Sequence, residues 1–312
     1  MQSLLRFWGT ALLLCLTLFF ATLTLAVISK TWFATETHSG KDRVAVLELK
    51  GVIYKSSGFT HRLTELLQDK TIKAIVVRIN SPGGLVGPSQ ELFESLKKAN
   101  EQLPVIASIG SVGASGGYYA ALGSRIIFAN PGSLTASIGV ISEFVNLHKL
   151  YEWAKVERVT LKAGKLKDAG TENRAMTPEE RDFLTALIQD IHKEFKAQVK
   201  ERRKLTTEEV ERWTDGRVMT GSQAKAAKLI DQLGGLDDAI TEAKKQAGLP
   251  ANAPVSYLHS QKKSFLRDIL LDASGDDTED ETSALFNWAN YFLTTAPDRT
   301  GSWRVLLLSP VR

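Results

Sequence analysis

The feature that most constrains the fold is an almost uninterrupted apolar run at residues 72–79, IKAIVVRI. A strand with one face in water alternates polar and apolar side chains, whereas a continuous apolar run is typical of a strand buried on both faces. Strands of that kind occur in parallel sheets that are covered by helices. The run therefore predicts an α/β protein with helices packed on two sides of a sheet.

The surrounding sequence alternates strand and helix patterns, which implies βαβ units. Strands are predicted at 44–53, 72–79, 105–109, 126–128, 138–140 and 156–161, and helices at 63–67, 88–100 and 115–122. Thr177, followed by Pro178 and two acids, predicts the start of a long helix that ends near Arg203. Further helices are predicted at 206–213, 221–230 and 236–247, with an edge strand at 255–259. We therefore expect one domain over residues 43–259, with an α/β core to about residue 176 and a helical part after it.

A second feature is the uncharged, mainly apolar stretch at residues 7–29, bracketed by Arg6 and Lys30. A helix of this length is sufficient to cross a hydrocarbon core about 30 Å thick. We predict a transmembrane anchor at residues 1–30 and a juxtamembrane linker at 31–42, making the protein single-pass in the inner (cytoplasmic) membrane. The alternative is a cleaved signal peptide, since Thr24-Leu25-Ala26 fits a cleavage site. The flanking charges do not set the direction of insertion. An extracytoplasmic catalytic domain is expected because a short N-terminal apolar run usually directs export.

Composition excludes several classes of site and partner. The single cysteine, Cys15, excludes an intrachain disulfide framework and any metal site built from several cysteines. The net charge of +4 falls to +2 once the two basic residues of 1–30 are set aside. Basic clusters such as residues 200–204 are interleaved with acids, which is typical of a solvated helix face rather than a nucleic-acid surface. Residues 260–312 are predicted to be a separate acidic tail.

Two glycine-rich segments follow predicted strands and are candidates for chemistry. In residues 80–84, NSPGG, a turn at a strand end brings backbone N–H groups to the surface, although the same pattern also fits a simple tight turn. In residues 110–119, GSVGASGGYY, Ser115 is placed at a helix start. Ser115 is therefore either a helix N-cap or a nucleophile beside N–H groups able to stabilise an oxyanion.

A serine nucleophile needs a base. Among the five histidines His148 is the best candidate, but its helical setting favours a surface or packing role. Residues 161–169 supply Lys162, Lys165 and Lys167. A lysine amine acts as a base only when neutral, and burial in an apolar site favours that form. The composition of the segment does not distinguish between the three lysines.

Five motifs in consistent order resemble the short bacterial form of the signal peptide peptidase A family. They are residues 80–84, 113–119, 135–140 (TASIGV), the Gly-x-x-Lys at 164–167, and the stretch from Asp215-Gly216-Arg217 to Gly234-Gly235. No single motif is decisive, but the ordered set is highly specific and covers about residues 43–250. The resemblance implies a crotonase- and Clp-protease-like layered fold and a Ser/Lys-dyad endopeptidase.

By the family pattern, Ser115 is the nucleophile, Lys167 the general base and Ser137 the hydroxyl that orients the lysine amine. The N–H groups of Gly116 and of Gly83 or Gly84 would form the oxyanion hole. The implied reaction needs neither a cofactor nor a metal. The resemblance further implies a homo-oligomer, an octamer, in which neighbouring subunits share the dyad, and peptide substrates such as signal peptide remnants, with small or apolar side chains preferred. The alternatives are a stomatin-cleaving type of membrane protease, a crotonase-type acyl-CoA enzyme and a non-catalytic scaffold.

Overall fold

The computed structural model describes Thr17 and residues 40–258. Within these residues no helix combines the length and apolar character needed to cross a membrane. The predicted anchor at 1–30, apart from Thr17, and the predicted tail at 260–312 lie outside the described residues, so both stay predictions.

Within residues 40–258 the strands form one eight-stranded sheet, ordered β6-β5-β3-β2-β1-β8, with β4 pairing β3 and β7. Every strand pair is parallel except β5 with β6. The strands are β1 Arg43–Lys50, β2 Ile72–Ser81, β3 Val105–Ala114, β4 Ile126–Ala129, β5 Leu134–Ala136, β6 Val218–Thr220, β7 Gln232–Leu233 and β8 Val255–Leu258.

Helices cover both faces of this sheet. They are α1 Ser57–Gln68, α2 Val86–Gln102, α3 Gly116–Ala121, α4 His148–Trp153, α5 Pro178–Arg203, α6 Thr207–Trp213, α7 Gly221–Ala226 and α8 Leu236–Gln246. Alternate residues of β2 enter two separate apolar clusters: Val77 and Ile79 pack with α1, α2 and α3, whereas Ala74 and Val76 pack with α8. The prediction of an α/β fold with a strand buried on both faces is confirmed.

Strand β3 is longer than predicted and changes partner along its length. Its first part pairs with β4, and Val112 to Ala114 pair with β5. The predicted end at Ile109 was wrong because the small residues that follow stay extended. The Asn80 side chain accepts a hydrogen bond from the Ser111 N–H at 2.8 Å, and a Cβ on Gly110 would lie 2.2 Å from the Asn80 Oδ1. The extended β3 places Ser115 directly after its last residue.

Two predicted strands do not form. Residues 138–140 have no strand partner, and β5 lies just before them. Residues 156–161 are exposed coil, with Val159 78% and Leu161 93% exposed. Their β-branched side chains favour extended structure, but a strand also needs a neighbour to pair with, and none is present within the described chain.

Candidate active site

Ser115 lies in a strained backbone conformation at the junction of β3 and α3. Its φ of 49° and ψ of −120° are outside the regions that serine ordinarily occupies. Its N–H donates to the Ala136 carbonyl at 2.8 Å, and its own carbonyl accepts from the Tyr119 N–H. Ser115 is the N-cap residue of α3, but its hydroxyl accepts no hydrogen bond from the first turn and so does not cap the helix. Strain of this kind clusters at functional sites.

Glycines pack the turn after β2 directly against Ser115. Gly83 has a φ of 106°, and a Cβ there would lie 2.7 Å from the Gly116 nitrogen and 2.8 Å from the Ser115 Cβ. A Cβ on Gly116 would lie 2.2 Å from the Ser89 Oγ and 3.3 Å from the Gly84 nitrogen. Larger residues would push the two segments apart, so the glycines bring the turn and the start of α3 together.

The two turn glycines differ in whether their N–H groups are available. The Gly83 N–H donates to the Ser81 Oγ at 3.1 Å. The Gly84 N–H has no acceptor within the described residues, although its neighbours exchange hydrogen bonds with Ile53 on both sides. Gly116 is the first residue of α3, where an N–H has no intrahelical partner. Gly84 and Gly116 therefore present the N–H groups that a substrate oxygen can use.

Ser137 follows β5 in a second strained segment. Ala136 and Ser137 have φ values of 63° and 51°, and the Ser137 N–H donates to the Arg217 carbonyl at 2.9 Å. The Asp215 carboxylate accepts from the Arg217 guanidinium and backbone N–H, and these bonds lower the pKa of Asp215 to about 2. The 215–217 turn thus supports the backbone that contacts Ser115.

A cavity opens beside Ser115 between α2, α3 and α5. Its empty volume is about 320 Å³, including the part open to solvent. Ser115, Gly116 and Gly84 line it together with apolar side chains of α2 and α5 and the backbone after Ser137. Tyr119 stands between Phe93 and Phe195, with ring centroids 5.3 and 4.6 Å away. The cavity is therefore a preformed space next to the hydroxyl.

The three lysines of 161–169 have different environments. Lys162 pairs with Asp168, and Lys165 pairs with Glu179. The Lys167 ammonium is exposed and makes neither a hydrogen bond nor an ion pair within the described part of the chain. Lys167 does not line the cavity at Ser115. The chain brings Ser115, Ser137, Gly83, Gly84 and Gly116 together, but it does not bring Lys167 to them.

The segment that carries Lys167, here called the lysine segment (residues 141–176), is anchored at its C-terminal end. The Arg174 guanidinium donates to Asp168 at 3.0 Å and to the buried Glu180 carboxylate. Glu180 also closes a capping box with Thr177 at the start of α5. The hydrogen bonds from Arg174 and then from Thr177 hold the pKa of Glu180 at about 2.

Among residues 40–258, no histidine lines the cavity at Ser115. His148 is exposed, and its Nε2 lies 3.4 Å from Glu152 Oε1, in agreement with the predicted surface role. His192 Nε2 lies 3.1 Å from the Ile138 carbonyl oxygen, at the back of the strained segment. Sequence reasoning missed the cavity residues Gln90, Tyr119 and Glu194, because polar positions on a helix are typical of a solvated face.

Comparison with known proteins matches these features to a protease family. Residues 97–250 match peptidase family S49. A Synechocystis protein named "Putative protease" is 35% identical over 268 aligned residues, which cover 83% of this chain and 95% of that protein. The chloroplastic serine protease SPPA of Arabidopsis thaliana is 33% identical and protease 4 of Salmonella typhi 35% identical, over 74% and 58% of this chain. The aligned parts are 36% and 29% of those two longer proteins. The chain therefore belongs to peptidase family S49, the signal peptide peptidase A family of serine proteases.

Proposed function

We propose that this protein is an endopeptidase that uses Ser115 as its nucleophile and Lys167 as its general base. The observation that carries the proposal is the position of Ser115: a strained residue with an uncapped hydroxyl, beside the Gly84 and Gly116 N–H groups and at the edge of a cavity. A nucleophile next to preorganised donors is the arrangement that acyl transfer requires.

The proposed reaction proceeds through an acyl-enzyme. The neutral Lys167 amine takes the Ser115 proton while the Ser115 Oγ attacks the peptide carbonyl carbon. The N–H groups of Gly84 and Gly116 donate to the carbonyl oxygen as it becomes an oxyanion. The lysine ammonium gives the proton to the leaving amine, and the C–N bond breaks. Lys167 then deprotonates a water, which hydrolyses the ester and restores Ser115. Ser137 orients the amine in this scheme.

We propose that the lysine comes from a neighbouring subunit of a homo-oligomer, an octamer in the family pattern. Lys167 is exposed and is not among the residues that line the Ser115 cavity in its own chain, and an exposed amine is a poor base. The lysine segment also exposes several large apolar side chains, among them Trp153, Val159 and Leu161. Contiguous apolar surface of this kind marks interaction sites. Docking on a neighbour would bury that surface and desolvate the amine.

The proposed substrates are signal peptide remnants and other unfolded or small peptides. The proposed location is the inner membrane, with residues 1–30 as the anchor and the catalytic domain outside the cytoplasm. This placement rests on the uncharged run at 7–29. It puts the protease beside the bilayer in which such remnants remain.

The test is complementation between two inactive chains. Ser115→Ala and Lys167→Ala, expressed separately, should each lose peptidase activity by about 10⁴-fold or more while remaining folded. Co-expressed, they should regain activity, because about one site in four of a randomly mixed ring combines an intact serine with an intact lysine from the next subunit. Absence of regained activity in mixed oligomers would contradict a shared dyad, and full activity of Lys167→Ala alone would contradict the dyad itself. Lys165→Ala is the matched control and should stay active.

A further inference from the structure

The cavity at Ser115 has mainly apolar walls, but one carboxylate also lines it. Glu194 on α5 lines it together with Gln90 of α2 and Tyr119 of α3. The Tyr119 hydroxyl donates to Glu194 Oε1 at 2.8 Å, and the Gln90 amide donates to Oε2. Side chains from three helices therefore meet at the Glu194 carboxylate, on the wall of this cavity.

Both donors to Glu194 are neutral. Burial, followed by the hydrogen bond and charge of Glu194, raises the pKa of Tyr119, so its hydroxyl stays a donor. Within the described residues Glu194 forms no ion pair, while the neighbouring lysines are already engaged, Lys193 with Asp190 and Lys196 with Glu211. A carboxylate has about four acceptor positions, so two remain after these bonds. The cavity therefore holds a negative charge without a cationic partner.

The cavity is also placed to receive the side chain next to the attacked bond. Ser115, Gly116 and Gly84 line it, so a carbonyl held between their groups has its own residue's side chain at the cavity mouth. Val86, Val140 and Ile191 form apolar walls along the way to Glu194. Long cationic side chains need such a path, because they pack an aliphatic stem and present a charged head.

We propose that this cavity selects lysine or arginine at the residue whose carbonyl is attacked, with Glu194 as the specificity-determining residue. The inference rests on the proposed function and changes the expected preference for small or apolar side chains. Glu194 lies at the solvent-exposed edge of the cavity, so an apolar side chain bound there displaces part of the water around the unpaired carboxylate, which costs free energy. A cationic head instead replaces that water with charge-assisted hydrogen bonds.

The test compares peptides that differ only in charge at this position. The full chain is assayed with fluorogenic peptides containing arginine or its neutral isostere citrulline, lysine or norleucine, and leucine. We expect kcat/KM to be about 10- to 100-fold higher for arginine than for citrulline, the range of a hydrogen bond to a charged group. Glu194→Gln should abolish that ratio and raise kcat/KM for the leucine peptide, because the cost of dehydrating the carboxylate is then removed. Glu194→Lys should favour an acidic residue instead.

Glu201→Gln is the matched control, because it removes one exposed negative charge from the same helix outside the cavity. The inference is overturned if the wild type has the same kcat/KM for the citrulline peptide as for the arginine peptide. It is also overturned if Glu194→Gln lowers kcat/KM equally for all peptides, which is the result expected if Glu194 only holds the helices together. Cleavage of the leucine peptide that Ser115→Ala lacks shows in either case that the proposed function stands. No cleavage of any peptide by the wild type would overturn the proposed function, and this inference with it.

Discussion

The Ser115 site and the lysine segment belong to one chain, but the first is tightly packed and the second is largely exposed to solvent. Around Ser115, a Cβ on Gly83 or Gly116 would clash with neighbouring atoms. Backbone hydrogen bonds connect Ser115 to the end of β5, and the residue after β5 to the 215–217 turn. The lysine segment is mostly coil, and its large apolar side chains face solvent. The proposed oxyanion donors are backbone groups, so one fold can fix their positions. A lysine base needs burial, which a single chain does not give to Lys167.

The largest effect is expected from a charge placed on the lysine segment. Leu161→Asp should leave the monomer folded, because Leu161 is 93% exposed and has little packing to lose. If the segment docks on a neighbour, an aspartate there buries an unpaired charge, so the oligomer should dissociate and peptidase activity should fall by about 100-fold or more. Light scattering and peptide hydrolysis measure the two quantities.

The matched control is Leu233→Asp, which places the same charge at an exposed leucine of β7, outside the lysine segment. This variant should change neither the mass of the oligomer nor its peptidase activity. An active Leu161→Asp monomer would show that the lysine segment does not need a neighbour, and the contrast between the two regions would then disappear.

A smaller, steric effect is expected on the Ser115 side. Gly116→Ala places a Cβ 2.2 Å from the Oγ of Ser89 on α2, so α2 and α3 must separate. We expect a loss of about 1–3 kcal/mol in the free energy of unfolding, typical of overpacking, together with reduced peptidase activity. Removing the obstructing atom in the double variant Gly116→Ala/Ser89→Ala should recover part of both. Denaturant unfolding and hydrolysis rates measure them, and an unchanged single variant would mean that the packing at Ser115 is looser than the geometry indicates.

The smallest effect is expected at the anchor of the lysine segment and depends on pH. Arg174 holds the pKa of Glu180 at about 2, below its ordinary value of 4.5. The stabilisation by ionised Glu180 is therefore fully present above about pH 4.5 and is lost as pH falls toward 2. The protection factors of the amides in residues 162–177, which are exchange rates normalised to the intrinsic rate at each pH, should decrease over that window in the wild type. Glu180→Gln should show the lower protection factors already at neutral pH.

Glu179→Gln is the control for this experiment, since it breaks only the exposed contact with Lys165. Exposed ion pairs contribute little, so exchange should remain as in the wild type. Equal protection in the wild type and Glu180→Gln at neutral pH would show that the buried carboxylate does not hold the lysine segment.

Local patterns were sufficient for the elements whose signals lie within a few residues. The apolar run of β2 and the N-cap at Thr177 are such signals, and both were confirmed. Residues 156–161 have the composition of a strand, but a strand depends on a partner that composition does not supply. Likewise, the strained backbone of Ser115 could not be predicted from its own segment, because its N–H donates to the carbonyl of Ala136, which is distant in sequence.

In the candidate site too, residues with a local sequence signal were predicted, and residues that depend on distant contacts were not. Glycines at residues 83, 84 and 116 mark close approaches: Gly83 lies against Ser115 and Gly116, Gly84 against the backbone of Ile53, and Gly116 against Ser89. The choice of Gly84 over Gly83 depended on a hydrogen bond to Ser81 that no motif encodes. Glu194 has the pattern of an ordinary polar helix position. It becomes part of the cavity only because α5 crosses α2 and α3.

The partner change along β3 has a consequence for the order in which the protein acquires activity. On the side away from β2, the last residues of β3 pair with the three-residue β5, which in turn is held by β6 at Val218–Thr220 and by the Arg217 carbonyl. Ser115 is synthesised about a hundred residues before those supports. A nascent chain that has not yet released residue 220 from the ribosome lacks the strand that aligns its nucleophile. Translation itself thus delays the appearance of an aligned serine until most of the domain is present to enclose it.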